Sequence, residues 1–357
     1  MTNTVPVVVV GGGQAGLAAG YYLRRAGVEF VILDDQSEAG GAWQHGWASL
    51  RLFSAARYSS LPGWPMPPQP GEPFPTADHV VSYLRAYEQR YELPIRRPIH
   101  VEAVRAAADR IRVETDHGVW SAATVISATG TWWRPYVPHC PGQADFAGRQ
   151  LHTVSYRKPD EFAGQRVVVV GGGNSAAQIL AEVSTVADVI WATERPPRFL
   201  PDDVDGRVLF DVATQQLLAS RAGQQAAGVA GLGDIVVVPS VLAARERGVL
   251  VAEPMFERIT EHGIVWADGR TRPADTIIWC TGFRPALSHL APLGLSRVDG
   301  HIATRNTQAA DDARIHLLGY GNWTGTASAT LVGAGRTAKQ LVAELTGRPR
   351  RSGTATF

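Results

Sequence analysis

Cysteine, lysine and long apolar runs are scarce in this chain of 357 residues, and each scarcity excludes something. The two cysteines, Cys140 and Cys280, stand alone, which rules out a disulfide framework, a zinc-type spacing and a C-x-x-C redox pair. No apolar run approaches the ~18 residues of a membrane span. The longest candidate near the start, Val5–Val10, lacks a basic flank and stops at three glycines, unlike a signal segment. A soluble cytoplasmic protein in a reducing compartment is expected. Only Lys158 and Lys339 are lysines among 34 basic residues, set against 33 acidic ones. The resulting net charge of +1 leaves no electrostatic footprint for nucleic acid or an anionic membrane. With 45% hydrophobic residues the chain is no disordered polymer, and at roughly 150 residues per domain it predicts about two domains.

Glycine is in excess, 37 residues or about 10% against a usual ~7%, and its placement is informative. Residues 7–13 read VVVVGGG, and residues 167–173 read VVVVGGG again. A β-branched run bounded by glycine is the pattern of a strand buried on both faces of a parallel sheet, with helices expected over both sides. Each run opens a predicted helix, Gln14–Ala26 ending at Gly27 and Asn174–Val186, then a second strand, 29–33 and 189–193. Two such units predict an α/β chain with two Rossmann-like dinucleotide-binding domains.

Superposed without a gap, Gly11, Gly13 and Gly16 fall on Gly171, Gly173 and Ala176, and Asp34 falls on Glu194. The first glycine permits a tight turn, the second lets backbone approach a pyrophosphate at the helix N-terminus, and the third lets helix and strand pack closely. Gln14, Asn174 and Ser175 open the two helices and join the candidate nucleotide contacts. The acidic residue accepts from ribose hydroxyls. Asp34-Asp35 suits a free ribose, as in FAD. Glu194 favours NADH, whereas Arg195 and Arg198 suit the 2′-phosphate of NADPH, so NADPH is expected with NADH as the alternative. Strand ends at Thr129-Gly130 and Thr281-Gly282 would bring further backbone close to a dinucleotide. Thr76 is expected to cap a helix with the stripe Val80, Leu84, Tyr87 and Tyr91. Seven prolines in the 14 residues 62–75 make an extended loop around Trp64, read as a wall of the site. The tail from residue 348 is expected to be disordered.

The chain resembles the flavin-containing monooxygenases over nearly its whole length. Gly40-Gly41-Ala42-Trp43 matches that family's G-G-x-W, and residues 146–157, FAGRQLHTVSYR, match its F-x-G-x-x-x-H-x-x-x-[FY]-[KR] fingerprint. Tyr156-Arg157 looks like the nitrogen- and sulfur-oxygenating branch. The stretches LRLFSAARYSSLPGWPMP (50–67), RFLPDDVDGRVLF (198–210) and GNWTGTASATLVGAGR (321–336) look most like the flavin-dependent monooxygenases of arsenic-resistance operons. The resemblance implies a single-component enzyme: NADPH reduces FAD, dioxygen forms a C4a-hydroperoxide, and one oxygen passes to a soft nucleophile at sulfur, nitrogen or a trivalent arsenical. It implies a small-molecule substrate and dioxygen as partners, no metal, and leaves a homodimer open.

Two departures from the family pattern stand out. Phe53 occupies the place of an asparagine that in the family helps hold the oxygenated flavin, so that either Ser54 or another polar group substitutes for it or the peroxide leaks more readily. Asn322 stands where related flavoproteins carry aspartate, ahead of Ser328 and the last helix. Phe53, Ser54 and the fingerprint's His152 are the candidate catalytic residues, and Gly41, Trp43, Asn322 and Ser328 join the candidate cofactor contacts. The flavin domain is expected at 1–157 plus 284–357, with the nicotinamide domain, 158–283, inserted in it. The alternative is an electron-transfer enzyme, a thioredoxin-reductase-like ferredoxin or flavodoxin NADP reductase. Such a reductase has no reason to carry the fingerprint.

Overall fold

The computed structural model describes residues 2–201 and 235–347. The end of the stretch 198–210 and the tail from residue 348 lie outside the described residues. The chain forms two units: one of residues up to Gln44, Ala56–Trp133 and Pro285 onward, the other of His45–Ala55 and Arg134–Arg284. Each is Rossmann-like.

In the first unit the strands Ile315–Leu317, Gly118–Ser127, Thr2–Val10, Phe30–Leu33 and Ile95–Arg96 lie side by side in that order, all parallel. Helix α1 (Gln14–Ala26) joins Thr2–Val10 to Phe30–Leu33 and ends at Gly27, whose left-handed backbone (φ 73°) lets its N–H reach the carbonyls of Leu23 and Arg24. Helix α2 (Ala77–Arg90) begins as expected, with Thr76 Oγ1 accepting from His79 N at 3.3 Å. Its tyrosines staple the proline-rich loop: Tyr83 donates to the Trp64 carbonyl at 2.7 Å and Tyr87 to that of Pro62 at 2.6 Å.

The second unit has the parallel order Ala252–Pro254, Asp188–Thr193, Arg166–Val170, Thr276–Trp279 and Arg149–His152. Helix α3 (Asn174–Val183) follows its glycine turn, and α4 (Pro239–Glu246) lies further on. α3 stops three residues before the expected Val186. Ser184 Oγ and Thr185 Oγ1 donate to the carbonyls of Ala181 and Glu182, so side-chain hydroxyls take the carbonyls that a further turn would use.

Both valine runs are buried on both faces, yet among the described residues an α-helix packs on one face of each and strands on the other, where the sequence predicts helices on both. Val167 and Val169 pack with Ala177, Ile179 and Leu180 of α3, whereas Val168 and Val170 meet Ile259, Ile264 and Trp266 of a small antiparallel sheet. In the first unit Val8 and Val10 pack against Val104, Ile111 and Val113 of the hairpin 101–115. A doubly buried strand demands an apolar cover but does not choose its secondary structure.

The units part at Trp133, not at residue 157. Residues 134–157 go with the second unit because Leu151 and His152 pair with Ile278 and Trp279 at the edge of its sheet. Among the described residues no helix is long and apolar enough to cross a membrane.

Two buried histidines shape the response of the first unit to acid. Burial lowers His289 and His316 to about 4, with His100 adding to the shift at His289. Their folded pKa lies below the unfolded value of about 6.5, so the unfolded chain binds more protons between those limits. The stabilisation is complete above about pH 6.5 and is lost as pH falls towards 4, by up to about 3 kcal/mol per histidine. Melting temperature should therefore drop across this window, and His316→Leu should flatten the slope. An unchanged slope would show that His316 does not supply it.

Candidate functional site

The first site is built where α1 starts. Gly11 has φ 104°, and a Cβ there would lie 2.6 Å from the Ala128 carbonyl oxygen, so the turn requires glycine on both counts. A Cβ at Gly16 would collide with the carbonyl of Gly11. The second turn repeats the first element only: Gly171 has φ 132° and abuts the Cys280 carbonyl, while Ala176 is buried without conflict. α1 and α3 both begin at glycines, Gly13 and Gly173, with no side-chain cap for their first-turn N–H groups.

Opposite Gly13 stands Gly41, where a Cβ would lie 2.8 Å from the Gly13 Cα. Two glycines thus face each other beside an uncapped helix start. Gln14 ties this cradle together, accepting from Trp43 Nε1 at 2.9 Å and donating to the Ala329 carbonyl at 2.6 Å. Asp34, at the end of the neighbouring strand, is 4% exposed, and its Oδ2 accepts from Arg97 Nε at 2.6 Å. An uncapped helix N-terminus, a floor without side chains and a buried carboxylate one strand away fit the pyrophosphate and ribose of a dinucleotide.

Thr129 is held by a directional hydrogen-bond chain that the sequence did not reveal. Thr129 Oγ1 donates to the Ala286 carbonyl at 2.6 Å, so its 2.7 Å contact with Tyr320 requires the tyrosine to donate. Ser127 must then donate to Tyr320 at 2.6 Å, and His289 Nε2 to Ser127 at 3.0 Å. Thr129 N–H also donates to the Tyr320 oxygen at 3.1 Å. Burial raises the Tyr320 hydroxyl and keeps it protonated. Asn322 and Ser328 act within their own loop: Asn322 Oδ1 accepts from Ala327 N at 3.1 Å, and Ser328 Oγ donates to the Gly321 carbonyl at 2.7 Å. Ser328 is fully buried, whereas Asn322 is exposed.

In the second unit Glu194, Arg195 and Arg198 are exposed just past the strand Asp188–Thr193. Ser175 is half-buried in the first turn of α3, and Asn174 Oδ1 accepts from Val236 N at 2.8 Å. Gly282, following Thr281, offers its carbonyl to Tyr136 N at 3.0 Å, and Gly130 offers its own to Ala286 N at 2.9 Å. His152 Nε2 also donates to the Gly282 carbonyl at 3.0 Å, while Nδ1 accepts from Val154 N at 3.3 Å. Burial lowers its pKa, against a smaller opposing effect of the Gly282 carbonyl, so the ring is neutral with both nitrogens engaged. Cys280 is buried and its thiol is pushed up to about 12.

Phe53 and Ser54 belong to the segment His45–Ala55 and hence to the second unit, Ser54 buried and Phe53 half-buried. The fingerprint explains this membership. Trp47 is buried edge-on to Tyr156, Ala48 N donates to the Arg157 carbonyl at 3.0 Å, and Arg157 Nη1 donates to the His45 carbonyl at 3.4 Å. Glu182 of α3 accepts from Tyr156 at 2.8 Å and from Ser49. Motif spacing exposes neither Glu182 nor Tyr320, because Glu182 joins Ser49, 133 residues away, to Tyr156, and Tyr320 bonds Ser127 and Thr129 more than 190 residues away.

A family model described as pyridine nucleotide-disulphide oxidoreductase matches residues 8–213. A CzcO-like oxidoreductase of Geobacillus kaustophilus, itself uncharacterized, is 31% identical over 79% of this chain and 82% of its own. An indole-3-pyruvate monooxygenase of Oryza sativa is 29% identical over 78% of this chain and 76% of its own. The solved structure of a flavin-containing monooxygenase from Stenotrophomonas maltophilia superposes with a TM-score of 0.89 at 50% identity, covering 97% of this chain and 99% of that one.

The hydrogen-bond chain gives a graded expectation for the first site. Tyr320→Phe strands the Ser127 hydroxyl and the Thr129 N–H as donors and removes the donor to Thr129 Oγ1, and should cost about 1–3 kcal/mol in urea unfolding. His289→Gln retains an N–H donor and should cost less; the reverse ranking would refute the direction assigned to the chain.

Proposed function

The chain belongs to the pyridine nucleotide-disulphide oxidoreductase family and, within it, to the flavin-containing monooxygenases, FAD-dependent NAD(P)H enzymes; from that premise we propose that it oxygenates a soft nucleophile at sulfur or nitrogen, with FAD in the first unit and NADPH in the second. When bound, FAD supplies the redox chemistry, taking hydride from NADPH and activating dioxygen for transfer of one oxygen atom. The observation that carries the reading is a matched pair of glycine-started helices whose neighbouring strands end in opposite chemistry. The first has the buried carboxylate of Asp34, and the second the exposed Arg195 and Arg198 beside Glu194.

In this reading the first-turn N–H groups of α1, with Gly11, Gly13, Gly16 and Gly41, hold the FAD pyrophosphate, and Asp34 accepts from its ribose. Gln14, Trp43 and Thr129-Gly130 line its path, while Asn322 and Ser328 shape the loop ahead of the last helix. Gly171, Gly173, Asn174 and Ser175 receive the second pyrophosphate, with Arg195 and Arg198 on the 2′-phosphate and Glu194 on the adjoining hydroxyl. His152 positions the Thr281-Gly282 strand end through the Gly282 carbonyl. Phe53 and Ser54 remain the catalytic candidates of the second unit, Ser54 buried and Phe53 half-buried. A sulfur or nitrogen nucleophile is favoured over a thiolate-held arsenical because both cysteines are buried, and Cys280 at about 12 offers no thiolate.

Offered a panel of thioethers and tertiary amines, the enzyme should consume NADPH and form oxygenated product in equal amounts. NADPH loss matched only by hydrogen peroxide across the whole panel would count against it. Arg195→Ala should raise KM for NADPH about tenfold and leave KM for NADH nearly unchanged. Equal effects on the two cofactors would remove Arg195 from 2′-phosphate recognition.

A further inference from the structure

Asp34 does not stand alone over the first glycine turn. Arg97, from the loop after the strand Ile95–Arg96, donates through Nε to Asp34 Oδ2 at 2.6 Å and grips Glu88 of α2 end-on, Nη1 to Oε2 at 2.8 Å and Nη2 to Oε1 at 2.6 Å. The three side chains are only 5% (Asp34), 14% (Arg97) and 12% (Glu88) exposed. Two of them crowd the turn: a Cβ on Gly12 would lie 2.6 Å from Asp34 Oδ2 and 2.8 Å from Arg97 Nη2. An arginine beside the ribose-binding carboxylate is ordinarily the mark of a site that accepts a 2′-phosphate. Here Glu88 occupies the fork of that arginine, and two carboxylates against one guanidinium leave a net negative charge at the turn, largely screened from solvent.

We propose that Glu88 and Arg97 set the dinucleotide specificity of the first unit: Glu88 clamps Arg97, Arg97 holds Asp34 over Gly12 as a hydroxyl acceptor, and their net charge rejects a 2′-phosphorylated ribose. This rests on the assignment of Asp34 to the FAD ribose. Free ribose hydroxyls donate to the remaining lone pairs of Asp34, whereas a phosphate dianion has no proton to donate and meets like charge in a poorly solvated place. The clamp thereby sorts two cofactors that share an adenosine diphosphate portion. Glu88 and Arg97 are positioning and specificity residues, since the reacting atoms lie at the far end of the cofactor.

The test is flavin release from the purified holoprotein, read as recovered flavin fluorescence on dilution into ADP-ribose or its 2′-phosphorylated form. For the wild type, ADP-ribose should release FAD at concentrations about tenfold lower than the phosphorylated probe requires. Glu88→Gln should lose FAD about tenfold more readily and bring the two probes close to parity. Equal release by both probes from the wild type would overturn the proposal, as would an unchanged preference in Glu88→Gln. If that variant does not fold, the wild-type comparison alone decides. Asp34→Ala separates the two levels of the argument. Loss of flavin from it supports the ribose assignment beneath the proposal, whereas full retention refutes that assignment whatever Glu88→Gln shows.

Discussion

A helix that starts at glycine has no side chain to satisfy its first-turn N–H groups, and both site-forming helices of this protein start that way. Of the other described helices, α2 is capped by Thr76 and the last helix, α5 (Leu331–Leu345), by Thr330, which accepts from Gly333 N at 3.1 Å, whereas α4 opens with Pro239 after Val238 and has no side-chain cap. At Gly13 and Gly173 no side chain takes these donors, which in the proposed function are left for the cofactor phosphates, and the surroundings are consistent with that demand. The strand must end against its neighbour so closely that only glycine fits, as at Gly11 and Gly171. The next strand must end in a residue that reads the sugar.

The two turns meet this demand with different tolerances. In the first, glycine is needed at Gly11, Gly16 and Gly41, and the surrounding loops are cross-tied by Gln14. In the second, Ala176 replaces the third glycine and Gly173 has open space around it. The first turn is thus a tighter cradle enclosed by buried polar chains from Asp34 and Thr129, and the second an open lip with exposed charges. A tightly enclosed cradle suits a cofactor that stays, and an exposed lip one that exchanges with each turnover.

Much of this was legible in the sequence because glycine turns and β-branched strands act through near neighbours. The repeat at 160 residues located both glycine turns, the acidic pair at Asp34 and the basic cluster at Arg195 lay past the strand that follows each, and Thr76 capped the helix expected of it. The fingerprint was legible as a pattern but not as a mechanism. Its Tyr156 and Arg157 proved to bind the segment 45–50 into the second unit, moving the domain boundary and carrying Phe53 and Ser54 with it. The helical cover expected on both faces of each valine run was also misjudged, because burial on two faces is blind to what does the covering.

Local backbone chemistry by itself therefore determined that this chain has two dinucleotide-binding folds, where each begins, and which strand-end charges differ. Only the tertiary structure decided which of those charges are already spoken for. Asp34 is bound to Arg97, Arg97 to Glu88, and Thr129 to Tyr320, Ser127 and His289. Those pairings join residues from about ten to nearly 200 positions apart. No spacing rule predicts them, because such contacts exist only once sheets and helices have brought these side chains into the same poorly solvated space.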